Sequence, residues 1–150
     1  MTVTGLVPRI QGLFRQAGAV DIDKNDVKRY QDFLNEHLFD LLLAAGVVAR
    51  SDGRDIVRPT DLPLTRGMQE NIQEFREVDG ELDLVPLLAD LITVPTLDVA
   101  LDEGTEALLP ELAGGLSVAL ARTFRVVEPE LKNPDTEAWD RASAIFRILL

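Results

Sequence analysis

Apolar residues recur along the chain at steps of three and four, the spacing of amphipathic helices. The first such stretch runs from Leu6 to Ala17, and Gly18 is expected to end that helix as a C-cap glycine. Asp23 then predicts an N-cap, and a long helix follows to about Ser51. The apolar stripe of this long helix is wider than one face, so it needs cover on more than one side. The pattern therefore predicts a central helix here.

The same periodicity continues through four more helical stretches. The third helix is expected to begin at a cap on Thr60 or Asp61, after the short extended step Ile56-Val57. Pro110 lies early in the second long helix, which therefore either begins near Leu109 or is kinked there. The other stretches are a short helix over 84–91 broken by Val94-Pro95, a long helix from Glu103 or Gly104 to Val127, and a final helix from Asp135 to Leu150 with Trp139, Ala142, Phe146 and Leu149 inside.

A short helix, a long helix and a short helix thus occur twice. A shift of 75 residues matches Leu38 with Ala113 and Ala45 with Leu120, and identity is negligible, so the repeat is one of pattern. Neither unit can bury so wide an apolar stripe alone, but two units could bury each other. We therefore expect an all-α fold in which residues 1–150 form one compact domain of two units, 6–79 and 80–150. The long helices, about Lys24–Ser51 and Leu109–Val127, should cross near their middles.

This order of helices, joined by short extended loops, resembles the histone fold. The stretch from Gly18 through Leu64 resembles an archaeal histone core without a gap. The whole chain resembles an uncharacterised bacterial histone-like family in which two histone folds are fused in one polypeptide, which implies a single-chain pseudo-dimer. The matching segments are Ala17-Gly18, Ala49-Arg50, Gly53-Arg54-Asp55, Pro59-Thr60-Asp61-Leu62-Pro63, Leu109-Pro110-Glu111-Leu112-Ala113-Gly114 and Leu131-Lys132-Asn133-Pro134.

The resemblance implies a structural clamp between Arg54 and Asp61. In histones an arginine just after the loop glycine pairs with an aspartate at the start of the third helix. A guanidinium is always charged and can pair with a carboxylate through two hydrogen bonds, which would hold the loop against the helix start. The alternative is an ordinary surface ion pair of little energetic worth. The second unit reads Lys132-Asn133-Pro134-Asp135 at the corresponding loop and has no such arginine.

The charge of the chain argues against the DNA binding that a histone resemblance implies. The net charge is −11, and residues 76–150 hold six basic and fifteen acidic side chains. Histones contact phosphates largely through basic residues. Of the matching positions, Arg15, Arg54 and Arg58 remain basic and are candidate nucleic-acid contacts, whereas Asp21 and Asp55 place carboxylates where phosphates would approach.

Composition excludes several other classes of protein. Apolar residues make up 46% of the chain, too many for a disordered protein. The absence of cysteine rules out disulfides, thiolate metal sites and cysteine nucleophiles, and fits a cytoplasmic location. The longest apolar run, Leu41 to Val48, is too short to span a bilayer.

Three patterns could carry other chemistry, and none is favoured. Asp21-x-Asp23-x-Asn25 has the spacing of a calcium loop but lacks its glycine, so a capping cluster is the better interpretation. His37 is the single histidine, which leaves a zinc or iron site without its usual ligands, so a structural or surface role is expected. Gly114-Gly115 belongs to no phosphate-binding loop and is expected to permit a close helix crossing.

We therefore expect no catalytic residue, no metal and no cofactor. The favoured function is a non-enzymatic module for protein interaction or assembly, with reduced DNA-binding chemistry and no membrane association, in a chain that is a monomer. The second hypothesis is a nucleoid-associated protein that binds duplex DNA weakly through Arg15, Arg54 and Arg58. The third is a small enzyme with a carboxylate site between the two units.

Overall fold

The computed structural model describes residues 5–94 and 96–150, and in these ranges the protein is all-α, as the periodicity predicts. The helices are α1 (Leu6–Gly18), α2 (Val27–Ser51), α3 (Arg66–Leu82), α4 (Val85–Leu91), α5 (Glu103–Val127) and α6 (Thr136–Leu149). Short 3-10 turns at Lys24–Asp26 and Pro59–Asp61 follow the first and second interhelical loops, and two-residue strands lie at β1 (Ile56–Val57) and β2 (Ala100–Leu101). None of the helices in the described ranges is long and apolar enough to cross a membrane.

The two long helices, α2 and α5, each have 25 residues and organise the rest of the fold. All the other helices pack against α5, and every residue from Leu112 to Val118 is buried. A helix that is buried around its whole circumference needs no polar face. The long helix that is covered most completely is therefore α5, while α2 keeps an exposed edge that includes Leu43 and Val47.

Loop pairing at both ends holds α2 and α5 side by side. Strands β1 and β2 pair in parallel, with Ile56 opposite Ala100, which joins the loop after α2 to the segment before α5. At the other end, the backbone N–H of Asp21 donates to the carbonyl of Lys132 at 2.6 Å. The loop before α2 therefore meets the loop after α5. The two long helices consequently run in opposite directions.

Gly18 allows α1 to touch α5 and does not act as the left-handed cap that the sequence predicts. The residue with the left-handed conformation is Ala19, at φ 53°, and Gly18 is the last residue of the helix. A Cβ on Gly18 would lie 2.3 Å from the carbonyl oxygen of Ala121. The C-cap prediction is wrong because close backbone approach, rather than a positive φ, requires glycine at this position.

Gly114 and Gly115 allow α3 to lie close against α5. A Cβ on Gly114 would come within 2.4 Å of the Phe75 ring, and one on Gly115 within 2.5 Å of the Ile72 side chain. The prediction that this glycine pair permits a close helix crossing is confirmed. The stability that each glycine costs in a helix, about 1 kcal/mol relative to alanine, is offset by the packing of these apolar side chains.

The third helix begins later than predicted. Thr65, and not Thr60 or Asp61, is its N-cap, since the Thr65 hydroxyl accepts a hydrogen bond from the backbone N–H of Met68 at 3.1 Å. Leu62 has an extended backbone because the following residue, Pro63, disfavours the helical conformation of its predecessor. The 3-10 turn therefore stops before the proline.

The second long helix begins at the earlier of the two predicted positions. Asp102 caps it by accepting a hydrogen bond from the backbone N–H of Thr105 at 2.8 Å, so a start near Leu109 is wrong. Pro110 lies inside the helix, where its missing N–H deprives the Glu106 carbonyl of a helical donor. Helix α4 ends at Leu91, and the predicted break at Pro95 falls outside the described residues.

Most of the residues that the sequence predicts to be buried in α6 are buried. Asp135 caps it through the backbone N–H of Ala138 at 2.8 Å, and Trp139 and Phe146 are buried. The prediction that Leu149 is also inside is wrong, since its side chain is 73% exposed. It lies in the last turn of α6, where no further helix covers it.

Candidate functional site

Arg54 and Asp61 form a two-point ion pair that ties the loop after α2 to the approach to α3. Arg54 donates from Nη1 to Asp61 Oδ2 at 2.7 Å and from Nη2 to Asp61 Oδ1 at 2.8 Å. Gly53, at φ 74°, makes the turn that aims this arginine back across the loop. The backbone N–H of Arg58 adds a third hydrogen bond to the Asp61 carboxylate at 2.8 Å.

These contacts hold the Asp61 carboxylate in its charged form. The hydrogen bonds from Arg54, followed by the one from the Arg58 backbone, lower the pKa of Asp61 from 3.8 to about 2. The Asp61 side chain is buried, and Arg54 also reaches Asp52 at 3.2 Å. The guanidinium of Arg54 is therefore engaged inside the protein rather than presented to a ligand.

The three candidate DNA contacts do not lie together. Arg15 lies near the start of α2 and pairs with Asp21 through Nε and Oδ1 at 2.6 Å. Arg54 and Arg58 lie beyond the other end of α2, about 37 Å away at 1.5 Å of rise per residue. Asp21 and Asp55, which stand where a histone would place cations, are both exposed. The length of α2 therefore separates Arg15 from Arg54 and Arg58.

His37 links α2 to α6 from a fully buried position. Its Nε2 lies 3.0 Å from the Ser143 hydroxyl, and its ring packs against Phe33 and Phe146 at 4.5 and 5.3 Å between centroids. Burial lowers the pKa of His37 although Glu36 and Asp40 both act to raise it. The imidazole is therefore neutral at pH 7 and serves the packing of the two helices.

The same part of α2 holds the one group of three potential metal ligands in the described residues. Ligand atoms of Glu36, His37 and Asp40 lie within 4.8 Å of one another. Arg147 binds both oxygens of Glu36, at 2.5 and 2.9 Å, and lowers the pKa of that carboxyl. A single imidazole beside a carboxylate that is already neutralised is a poor metal site, and we assign no metal to it.

The acidic cluster before α2 is a helix cap. The Asp23 carboxylate accepts from the backbone N–H of Asn25 at 2.8 Å, and the Asp26 carboxylate accepts from the backbone N–H of Asp23 at 3.0 Å. This reciprocal arrangement is a capping box. The interpretation of these residues as a capping cluster is confirmed.

An apolar groove that the sequence analysis missed lies between the start of α3, the second half of α5 and the end of α6. Its volume is about 470 Å³, and Val126 and Leu149 at its edge are 80% and 73% exposed. Helical periodicity predicts that Leu149 is buried, so the groove could not be predicted from that pattern. The groove is lined by Thr65, Gly67, Met68, Asn71, Leu116, Ala119, Arg122, Thr123, Val126, Val127, Ile145, Phe146, Leu149 and Leu150.

Crystal structures of two other proteins are similar to this chain. A crystal structure of a protein from Thermus thermophilus is 48% identical, with a TM-score of 0.84, over 96% of this chain and 97% of that one. The crystal structure of protein AQ328 from Aquifex aeolicus is 20% identical, with a TM-score of 0.81, over 95% of this chain and 94% of that one, and so shares the fold.

Two sequence comparisons agree with these structural similarities. A relative from Aquifex aeolicus (strain VF5), named only as an uncharacterized protein, is 22% identical over 137 residues, which are 91% of this chain and 80% of the relative. The profile of the family described as a domain of unknown function, DUF1931, matches residues 10–147. Because that match takes in nearly the whole chain, the protein belongs to the DUF1931 family.

Proposed function

We propose that the protein is a single-chain histone-fold pseudo-dimer that acts as a non-enzymatic module for protein interaction or assembly. Its two units would each have a short, a long and a short helix, with the boundary at the end of α3, because that helix continues to Leu82. The opposed long helices and the pairing of loops at both of their ends support this architecture. So does the Arg54–Asp61 ion pair at the loop where the resemblance places a clamp.

The observation that carries the proposed role is that carboxylates lie at or beside the positions where the resemblance places cations. Asp21 is exposed and pairs with Arg15, and Asp55 is exposed next to Arg54. A phosphate would have to displace Asp21 from Arg15 and approach both carboxylates, which opposes binding. The pseudo-dimer therefore keeps the scaffold while losing most of the chemistry for nucleic acid.

The lining of the groove between α3, α5 and α6 supports interaction with protein. Arg122 is its one charged lining residue, and the other lining side chains are apolar or uncharged. Acid–base chemistry on a carboxylate pair needs two such groups facing one cavity. Because no carboxylate side chain lines the groove, the groove itself suits an apolar partner and not acid–base chemistry on a carboxylate pair.

A DNA mobility-shift assay tests this role with a gain-of-function variant. We expect the wild-type chain to leave duplex DNA unretarded at physiological salt. The double variant Asp21→Lys/Asp55→Lys, which restores cations at both ends of α2, should retard it and release the DNA as salt rises. The control Glu77→Lys/Asp140→Lys makes the same change in net charge at exposed positions in α3 and α6, outside the paired loops.

Two results would contradict the proposal. Retardation by the wild-type chain at physiological salt would restore DNA binding as the function. Equal retardation by both double variants would show that the positions matching the histone contacts have no special geometry. Light scattering on the same samples should give the mass of a monomer, since fusion of the two units makes the pairing intramolecular.

A further inference from the structure

We propose that α6 is a detachable helix, which opens from α2 and α5 as one unit while the other helices stay packed. The inference goes beyond the proposed interaction role and does not depend on it. Three features of the interface between α6 and the two long helices carry it. They are the small number of apolar anchors, two buried polar atoms without partners, and the enclosure of His37.

Few large apolar side chains attach α6 to the rest of the protein. Four of its fourteen residues are buried, and two of these four are alanines. The ring of Trp139 meets Phe124 of α5 at 5.1 Å between centroids, and the ring of Phe146 meets Phe33 of α2 at 4.8 Å. A segment that buries few apolar side chains opens at a lower free energy than the core of a protein. The buried residues of α3, none of them alanine, are Met68, Ile72, Phe75 and Val78.

Two buried polar atoms at this interface have no hydrogen-bond partner. They are Trp139 Nε1 and His37 Nδ1, and both side chains are more than nine-tenths buried. Within the described residues one other buried side-chain atom lacks a hydrogen bond, Glu74 Oε2, and it lies 2.5 Å from Arg122 Nη2 in an ion pair. A buried polar group without a partner opposes the closed state, because water satisfies it in the open state. Both atoms at the α6 interface therefore favour its release.

Polar contacts between α6 and α2 enclose His37. Its Nε2 lies 3.0 Å from the Ser143 hydroxyl. The charged groups that face the ring are Glu36 and Asp40 on α2 and Arg147 on α6. In the closed form Arg147 binds Glu36 and repels a charged imidazole. Release of α6 removes this arginine and admits water, so the ring can take up a proton beside two free carboxylates.

The open form presents an apolar face of α2 and α5 that the closed form hides. Phe33 and Phe124 lie beneath α6 and are at most 4% exposed. Leu116 and Ala119 line the neighbouring groove, of which α6 forms one wall. Departure of that wall joins the two surfaces. Opening of α6 thus controls when this larger apolar surface is available.

Native-state amide exchange of the full-length chain, followed by NMR in low concentrations of urea, tests the proposal. We expect the amides of α6 to exchange together, about tenfold or more faster than those of α3 after correction for intrinsic rates. Their exchange should also depend less on urea, because release of one helix exposes less surface than global unfolding.

Two substitutions distinguish release of α6 from global unfolding. Ser143→Ala removes the hydrogen bond to His37 and should speed exchange in α6 by a factor of about ten. The matched control is Ile72→Val, which weakens the packing of α3 against Gly115 of α5. It should speed exchange in α3 about fivefold and leave α6 unchanged.

Acid tests the part that His37 has in the opening. Burial lowers the pKa of His37 in the closed form, so the open form binds the proton first and becomes more populated as the pH falls below 6.5. A change from pH 7.5 to 5.5 should speed exchange in α6 about tenfold beyond the intrinsic change, if the closed ring stays neutral. His37→Gln has no proton to take up in this range and should abolish the effect.

Four results would overturn the proposal. These are equal rates and equal urea dependence in α6 and α3, equal acceleration of both helices by Ile72→Val, exchange that rises steadily toward the end of α6 as in fraying, and a response to acid that is absent or that His37→Gln retains. None of them alters the mobility-shift or light-scattering result. The two proposals therefore fail separately.

Discussion

Gly18, the last residue of α1, lies directly against the backbone carbonyl of Ala121 in α5. A Cβ on Gly18 would stand 2.3 Å from that oxygen, and backbone cannot move aside as a side chain can. We expect Gly18→Ala to lower the free energy of unfolding by about 2–3 kcal/mol, measured by urea denaturation.

The matched control for that substitution is Gly80→Ala. Gly80 lies in α3 with open space where its Cβ would be. Alanine there should raise the free energy of unfolding by about 0.5–1 kcal/mol, because glycine is the poorer helix former. Equal effects at positions 18 and 80 would show that helix propensity, rather than the contact with Ala121, determines the result.

Tyr30 and Ser117 form a buried hydrogen bond between the two long helices. We expect removal of the Tyr30 hydroxyl to cost less stability than removal of the Ser117 hydroxyl. The oxygens are 2.6 Å apart, and the Ser117 hydroxyl itself donates to the carbonyl of Ala113. Tyr30→Phe leaves Ser117 with that bond and should cost about 1 kcal/mol. Ser117→Ala leaves the buried phenol without a partner and should cost about 2–3 kcal/mol. Denaturation curves in which Tyr30→Phe is the more damaging change would contradict this assignment of donors.

The Asp61 carboxylate should make stability depend on acid pH. Its pKa is lowered from 3.8 to about 2 in the folded chain, chiefly by Arg54. Below pH 3.8 the unfolded chain binds the proton first, so the contribution of Asp61 is complete above about pH 4 and is lost as the pH falls toward 2. Urea denaturation over this range should show a steeper loss of stability in the wild type than in Asp61→Asn. Parallel profiles would show that groups other than Asp61 cause the loss of stability in acid.

The single histidine should titrate below its ordinary pKa of 6.5. Burial lowers the pKa of His37, so in acid the unfolded chain binds a proton that the folded chain resists, and stability falls as the pH drops below 6.5. Because the chain has one histidine, its ring resonances can be followed by NMR without ambiguity. A midpoint at or above 6.5 would mean that Glu36 and Asp40 outweigh burial.

Local features of the sequence predict most of the fold. The three-and-four spacing places the helices, and hydrogen bonds to Asp102 and Asp135 begin two of them within a residue or two of the predicted positions. Asp23 caps a 3-10 turn instead, and α2 begins at Val27, three residues after the predicted Lys24. The start of α3 was harder to place, since Thr60, Asp61 and Thr65 are all competent caps. Pro63 decides between them through the conformation that it imposes on Leu62.

Features that depend on two distant segments could not be predicted in the same way. Periodicity makes Leu149 equivalent to Phe146, yet Phe146 meets Phe33 of α2 whereas Leu149 lies beyond the last covering helix. The role of Gly18 likewise depends on Ala121. The groove is formed by parts of α3, α5 and α6 that are distant in the sequence, so no local pattern identifies it.

The contact between Gly18 and Ala121 also has a consequence for how the chain is made. The two residues are about a hundred positions apart in the sequence. At about 5–20 residues per second, a ribosome adds that length in roughly 5–20 s. For much of that interval α1 and α2 have been synthesised, whereas the helix that buries them, α5, has not. The apolar faces of the nascent first half are therefore open to other proteins until the last third of the chain emerges.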